Sequence, residues 1–73
     1  MDGIYLNVED VARYRGVEPN TIRGYIARKK APEPEPGLTG TMWLVETILD
    51  YWPEPGARGV PMAVILAEID PST

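Results

Sequence analysis

The sequence predicts a mainly helical domain that carries a small β-hairpin. Two amphipathic helical patterns lie close together near the N-terminus, a proline-rich stretch and a turn follow them, and a third helical pattern comes next. A chain of 73 residues has room for one small core. Cysteine and histidine are both absent, so disulfides are excluded and the commonest metal ligands and general bases are missing.

The first two helices are marked by capping residues. Asn7, with Asp10 three residues later, is typical of a helix start, because the amide side chain can accept from unpaired N–H groups and the carboxylate favours the positive end of the helix. Gly16 is typical of a helix end. Pro19 then stands at a favoured first position, which predicts a second helix over residues 19–29.

The short connection between these helices predicts how they cross. Only Arg15 to Glu18 separate them, which forces a sharp crossing and predicts a helix-turn-helix. In the second helix Ile22 and Ile26 are four residues apart and form the buried side, so the polar residues around them face outward.

A β-hairpin is predicted over residues 32–43. Three prolines between Ala31 and Pro36 exclude a helix and favour an extended edge segment. Residues 37–40 then form a turn, and residues 41–43 suit a short returning strand. We call residues 32–43 the wing. A third helix is predicted from Val45, ended by Pro53.

The C-terminal part is predicted to comprise a linker and an apolar segment. The chain divides into a domain of residues 1–52, a Pro/Gly-rich linker of residues 53–61, and residues 62–73. In the last segment apolar residues follow helical spacing, although a strand over residues 63–67 is an alternative. This stripe must fold back on the domain or meet a second copy, and the linker favours self-association through Met62, Ile65, Leu66 and Ile69.

The charge is divided unevenly along the chain. The net charge is −4, but residues 1–32 hold six basic and four acidic residues, whereas residues 33–73 hold one basic and seven acidic residues. An anionic partner is therefore expected at the N-terminal half. No leader sequence and no membrane-spanning stretch is recognised, so we expect a cytoplasmic protein without a membrane partner.

The part of the chain from Tyr5 to Trp52 resembles a known family. The resemblance lies in Tyr5-Leu6-Asn7-Val8-Glu9-Asp10-Val11-Ala12, Gly16-Val17, Asn20-Thr21-Ile22-Arg23-Gly24-Tyr25-Ile26, and in the positions of Pro32, Trp43 and Trp52. These segments resemble the MerR-type and excisionase-type winged helix-turn-helix domains. The resemblance implies sequence-specific binding of double-stranded DNA, with residues 19–30 in the major groove. It further implies a phage or mobile-element protein in a bacterial or phage-infected cell, either an excisionase-like architectural factor of DNA recombination or a small transcriptional regulator.

The same resemblance supplies candidate DNA contacts. Asn20 and Arg23 could read base edges, and the Thr21 hydroxyl could reach a base or a phosphate. Gly24 would permit close approach of the helix backbone, at a cost in helix stability. The full candidate set is Asn20, Thr21, Arg23, Gly24, Tyr25, Arg28, Lys29 and Lys30, with Thr39 and Thr41 from the wing. Two departures from the family are a wing tip without basic residues and Lys29 where the family commonly has glycine.

We expect no enzymatic activity, no cofactor and no metal. The carboxylates Glu46, Asp50 and Glu54 are interpreted as a solvated face, because a core this small can hardly form a catalytic pocket. A lone domain with few phosphate contacts binds weakly, so a homodimer or a cooperative array on DNA is expected. The alternative function is a protein-interaction module on the same scaffold, which binds another protein through its acidic half and the C-terminal apolar segment.

Overall fold

The computed structural model of the chain describes residues 4–36 and 40–69. The elements, in order, are β1 (Tyr5–Asn7), α1 (Val8–Arg15), α2 (Pro19–Ala27), β2 (Met42–Leu44), α3 (Val45–Tyr51) and α4 (Met62–Ile69). The prediction of a mainly helical chain with a small antiparallel β-structure is confirmed. The predicted starts of the first three helices are also confirmed.

The ends of α1 are stabilised as the sequence predicts. The Asn7 side chain accepts from the backbone N–H of Asp10 at 2.8 Å, and the Asp10 carboxylate accepts from the backbone N–H of Asn7 at 3.2 Å. This reciprocal capping box satisfies two N–H groups that the helix itself cannot pair. Gly16 ends α1 with φ of 70°, in the left-handed region that glycine tolerates.

The second helix ends two residues earlier than predicted, at Ala27. Lys29 adopts φ of 60°. Its N–H donates to the carbonyl of Ile26 at 3.1 Å, and the N–H of Lys30 donates to the carbonyl of Tyr25 at 2.7 Å. These two bonds form a Schellman motif, in which a left-handed residue reverses the chain and satisfies the last carbonyls. Lys29 thus occupies the position where glycine is usual.

The two strands pair in a different way from the predicted hairpin. β2 lies antiparallel to β1, with Leu6 opposite Trp43, whereas residues 32–36 form no strand. The prediction that residues 32–43 pair with each other is therefore wrong. Alternating prolines lack the N–H donors of a ladder, and one backbone–backbone hydrogen bond joins residues 32–36 to β2, from the N–H of Glu35 to the carbonyl of Met42 at 2.8 Å. The turn residues 37–39 lie outside the described residues.

The core draws on every helix and both strands. Its most buried large side chains are Trp43, Tyr14, Leu6, Ile22, Ile48, Ile65 and Val11. Two of them also satisfy polar atoms: the indole N–H of Trp43 donates to the carbonyl of Pro32 at 2.8 Å, and the Tyr14 hydroxyl donates to the carbonyl of Trp52 at 2.7 Å. Burial raises the pKa of Tyr14. The proline-rich segment and the end of α3 are thereby fixed to the core.

The C-terminal segment folds back on α1. Residues 62–69 form a helix, so the strand alternative is wrong, and Met62 and Ile65 are buried in the core of their own chain. Leu66 is half-buried, whereas Ile69 is exposed. The structure thus shows the fold-back arrangement for the two buried side chains, and a second copy would meet only the outer part of the predicted stripe.

Residues 53–61, predicted as a linker, lie against the C-terminal end of α1. The N–H of Gly56 donates to the carbonyl of Tyr14 at 3.1 Å, and the N–H of Val60 donates to the carbonyl of Arg13 at 2.9 Å. A Cβ on Gly59 would overlap the carbonyl oxygen of Tyr14. Residues 53–61 therefore supply a donor to the Tyr14 carbonyl, at the end of the helix, and a second donor to the Arg13 carbonyl, which also accepts from the N–H of Gly16.

Candidate nucleic-acid interface

The outer side of α2 carries most of the candidate residues. Ile22 is fully buried beneath the helix, and Tyr25 and Ile26 pack partly against the core. The residues that remain exposed on and directly after the helix are Asn20, Arg23, Ala27, Arg28, Lys29 and Lys30. Thr21 and Gly24 are half-buried. The structure thus brings the predicted α2 residues to one exposed surface.

The cations of this surface have no acidic partner in the described part of the chain. Among residues 4–36 and 40–69 the ion pair formed is Arg13 with Glu68, on the α1–α4 contact. Arg23, Arg28, Lys29 and Lys30 take no part in it, so none of them forms an ion pair with the described residues. Unpaired cations on one surface are what an anionic partner requires.

Two of the other three described cations, Arg13 and Arg15, belong to internal contacts. Both guanidinium nitrogens Nη1 and Nη2 of Arg13 donate to Glu68, the Nη2 bond being 2.9 Å long. Arg15 lies over the Trp52 ring at 5.0 Å and donates to the carbonyl of Glu54 at 3.0 Å. The accepted hydrogen bond from Arg13 lowers the pKa of Glu68. These two arginines support the fold. Arg58 is exposed in residues 53–61, away from α2 in the sequence, so four exposed cations lie together on and directly after α2.

Arg23 is oriented by a neighbour on its own helix. Its Nη1 donates to the Asn20 amide oxygen at 3.1 Å, one turn earlier. A guanidinium has five N–H donors, so one bond to Asn20 leaves the remainder for a ligand. The hydrogen bond to Asn20 holds the long Arg23 side chain along the helix, so the side chain would lose less conformational entropy on binding a ligand.

An open cleft of about 210 Å³ lies beside this surface, lined by Asn7, Val8, Glu9, Arg23 and Thr41. It joins three elements that are far apart in sequence: the start of α1, the middle of α2 and the residue before β2. The first-turn N–H groups of an α-helix have no acceptor within the helix. The cleft therefore brings a guanidinium and a hydroxyl next to the start of α1, with the Glu9 carboxylate as the opposing charge.

Sequence reasoning found Arg23 and Thr41 but missed the start of α1 as part of the site. No spacing in the sequence links Glu9 to Arg23, because their proximity depends on how α1 crosses α2. The pairing of β2 with β1 brings Thr41 to the same place. Thr39, the other predicted wing contact, lies outside the described residues.

Tyr25 is placed in packing contacts. Its ring centroid lies 6.4 Å from that of Trp52, which also makes an edge contact with Tyr51 at 4.9 Å. The half-buried ring of Tyr25 is therefore part of the layer beneath α2. Its hydroxyl is the atom that a ligand at the edge of the interface could contact.

Comparison of the chain with protein-family models, with characterised proteins and with solved structures finds no match. Among residues 4–36 and 40–69, no three carboxylates cluster closely enough to hold a metal ion. In the same residues, no helix has the length and apolar character needed to cross a membrane. The function is therefore inferred from the geometry and charge of α2 and the cleft.

Proposed function

We propose that the chain is a sequence-specific DNA-binding protein of the winged helix-turn-helix type, which reads the major groove with residues 19–30. The observation that carries this proposal is the set of four cations on the exposed side and end of α2, Arg23, Arg28, Lys29 and Lys30, without an ion-pair partner among the described residues. Helix α2 is joined to α1 by a short turn and has its opposite side in the core, so it can present this surface rigidly.

The residues divide between base reading and phosphate binding. Asn20, Thr21 and Arg23 lie in the first half of α2, the part that reaches base edges in a docked recognition helix. An arginine donates in a bidentate way to guanine, and an asparagine pairs with adenine. Lys29 and Lys30 lie at the C-terminal end, where flexible ammonium groups bind phosphates without regard to sequence.

The cleft provides a further phosphate contact. A DNA phosphate at its mouth would receive a hydrogen bond from the Thr41 hydroxyl, and it would face the positive end of α1, while the Arg23 guanidinium on the cleft wall stays directed to a base. The acidic residues Glu33 and Glu35 make the proline-rich segment a poor phosphate binder. Contact by the wing is therefore proposed at Thr41, next to the sheet, and at Thr39.

Binding by one copy is expected to be weak, because four cations release few counterions from DNA. Specific occupancy at physiological salt then requires two copies or a cooperative array on adjacent sites. This requirement fits an excisionase-like architectural factor or a small transcriptional regulator. Both bind short repeated or symmetric sites, and footprinting on the selected DNA distinguishes the spacing that each uses.

The experiment is a salt titration of binding to a DNA site selected from a random library. With Arg23 on a base and the other three cations, Arg28, Lys29 and Lys30, on phosphates, the slope of log K against log salt is expected to be about −3. Neutralising Lys30 (Lys30→Gln) should weaken binding to all sequences alike and flatten the slope by about one. The matched control is Arg58→Gln, which removes the same charge from the segment against α1. Absence of binding at low salt, or equal losses in both variants, contradicts the proposal.

The second candidate is a protein-interaction module, favoured by the exposed side of α3. Leu49 and Tyr51 are 37% and 48% exposed, and Glu46 and Asp50 lie exposed on the same helix. Such a mixed acidic and apolar surface suits a basic amphipathic segment of another protein. Binding of a basic amphipathic peptide that is lost in Leu49→Asp, together with no DNA binding, would favour this function.

A further inference from the structure

Gly24 lowers the stability of α2, and no contact among residues 4–36 and 40–69 requires a glycine there. It lies in the middle of the helix, where glycine is unfavourable relative to alanine. A Cβ built at this position has no atom of the described residues outside its own turn of helix within 4 Å. Other glycines differ, because a Cβ on Gly56 or Gly59 would overlap backbone atoms of α1. Packing within the described part of the chain therefore does not account for glycine at position 24.

Lys29 is a second such position. Its φ of 60° lies in the left-handed region, which disfavours side chains with a Cβ. Glycine would relax the same turn and keep both hydrogen bonds of the Schellman motif. The Lys29 side chain is exposed and forms no ion pair in the described part of the chain, so no contact there offsets the strain.

Gly24 lies within one line of residues along α2, and Lys29 lies at the end of this line. Asn20, Gly24 and Arg28 are spaced four residues apart, so they follow one another along a single helix face. Lys29 comes directly after this line. A gap without a side chain thus lies between an oriented Asn20–Arg23 pair and the cations at the end of α2.

We propose that the line from Asn20 to Arg28 is a close-approach surface. The partner packs against the α2 backbone at Gly24, and Lys29 contacts an anionic group at the end of the helix. This inference rests on the proposed function, in which the partner is duplex DNA and the group that meets Gly24 belongs to the wall of the major groove. It explains why the chain retains glycine in a helix and lysine in a left-handed turn.

The proposal requires stability and binding to change in opposite directions. Gly24→Ala and Gly24→Leu should raise the midpoint of thermal unfolding, because the side chain enters open space. The same variants should weaken DNA binding in order of side-chain size, by at least about tenfold for leucine, with an unchanged salt slope because no charge is lost.

Lys29→Gly should also be more stable than wild type, but the salt slope of its DNA binding should flatten by about one, whereas Lys29→Arg retains the slope.

The test measures DNA affinity by fluorescence anisotropy at several salt concentrations, beside thermal unfolding of each full-length variant. Ala67→Leu, at an exposed position on α4, controls for added bulk, and Arg58→Gly controls for lost charge. A wild-type chain that binds no duplex overturns both this inference and the proposed function. A wild-type chain that binds, with Gly24→Leu of equal affinity, overturns the close approach alone. Retention of the full salt slope in Lys29→Gly overturns the role of Lys29.

Discussion

Arg23 is the central residue of the proposed DNA contacts. It lies in α2, is held by Asn20 and lines the cleft with Thr41. We expect Arg23→Ala to weaken binding to a selected DNA site by about 1–3 kcal/mol and to relax preference at one base pair. Competition between the selected site and single-base variants measures both effects. Asn20→Ala should give a smaller loss of the same kind, because it removes the side chain that orients Arg23.

Loss of affinity in Arg23→Ala that is equal for all DNA sequences would show that the guanidinium binds a phosphate in the cleft and reads no base. The fold itself should be unaffected, since Arg23 is exposed and the side-chain hydrogen bond that it forms with the described residues stays within α2. Thermal unfolding of the variant provides this control.

Gly59 illustrates the opposite case, a residue whose importance is purely structural. A Cβ at this position would overlap the Tyr14 carbonyl oxygen, and that atom is backbone and cannot move aside. We expect Gly59→Ala to lower the free energy of unfolding by about 1–3 kcal/mol. Urea unfolding measures the change. Gly24→Ala is the matched control, because its Cβ enters open space; a similar loss in both variants would contradict the packing of residues 53–61 on α1.

Among the elements, α1 depends on its cap more than α2 does. The capping box of Asn7 and Asp10 satisfies two backbone donors, whereas Glu18 begins α2 without a side-chain bond. Asn7→Ala should therefore cost about 1 kcal/mol of stability. Glu18→Ala, the control, should change the free energy of unfolding far less. Equal effects of the two substitutions would indicate that the Asn7 bonds are replaced by water at no cost.

The elements also show what the sequence can and cannot predict. Local signals located α1 and the start of α2, because the Asn7 cap, Gly16 and Pro19 act within a few residues. The helix α3 was located by the helical spacing of its apolar residues and by Pro53 after it. The partner of β2 is set by long-range contacts: Trp43 buries against Leu6, and no local pattern marks residues 5–7 as a strand. The predicted hairpin failed for this reason. For the same reason the α1 side of the cleft was missed, although the α2 residues were found.

At the scale of the whole molecule, the C-terminal segment shows how a composition argument can mislead. Prolines and glycines in residues 53–61 suggested a linker that favours self-association of the following segment, and they instead allow close packing on the end of α1. The stripe on α4 is then covered by its own chain at Met62 and Ile65. A small core gains stability by recruiting this segment, since few other apolar residues remain to cover α1. The two ends of the sequence are thus joined in one core.

The Arg13–Glu68 ion pair makes the stability of the contact between α1 and α4 dependent on pH. The pKa of Glu68 is lowered in the folded chain, mainly by the hydrogen bond from Arg13. The pair therefore stabilises the fold above the unfolded pKa of a glutamate, about 4.3, and its contribution disappears as the pH falls through the lower folded value. We expect Glu68→Gln to be slightly less stable than wild type at pH 7, with a difference that shrinks towards zero as the pH falls below this range. The effect is small because both side chains are largely exposed.

Thermal unfolding of wild type and Glu68→Gln across this pH range gives the difference in stability, and Glu46→Gln on α3 is the control without an ion pair in the described chain. A gap between wild type and Glu68→Gln that is the same at every pH would show that the glutamate stabilises α4 through packing and not through its charge.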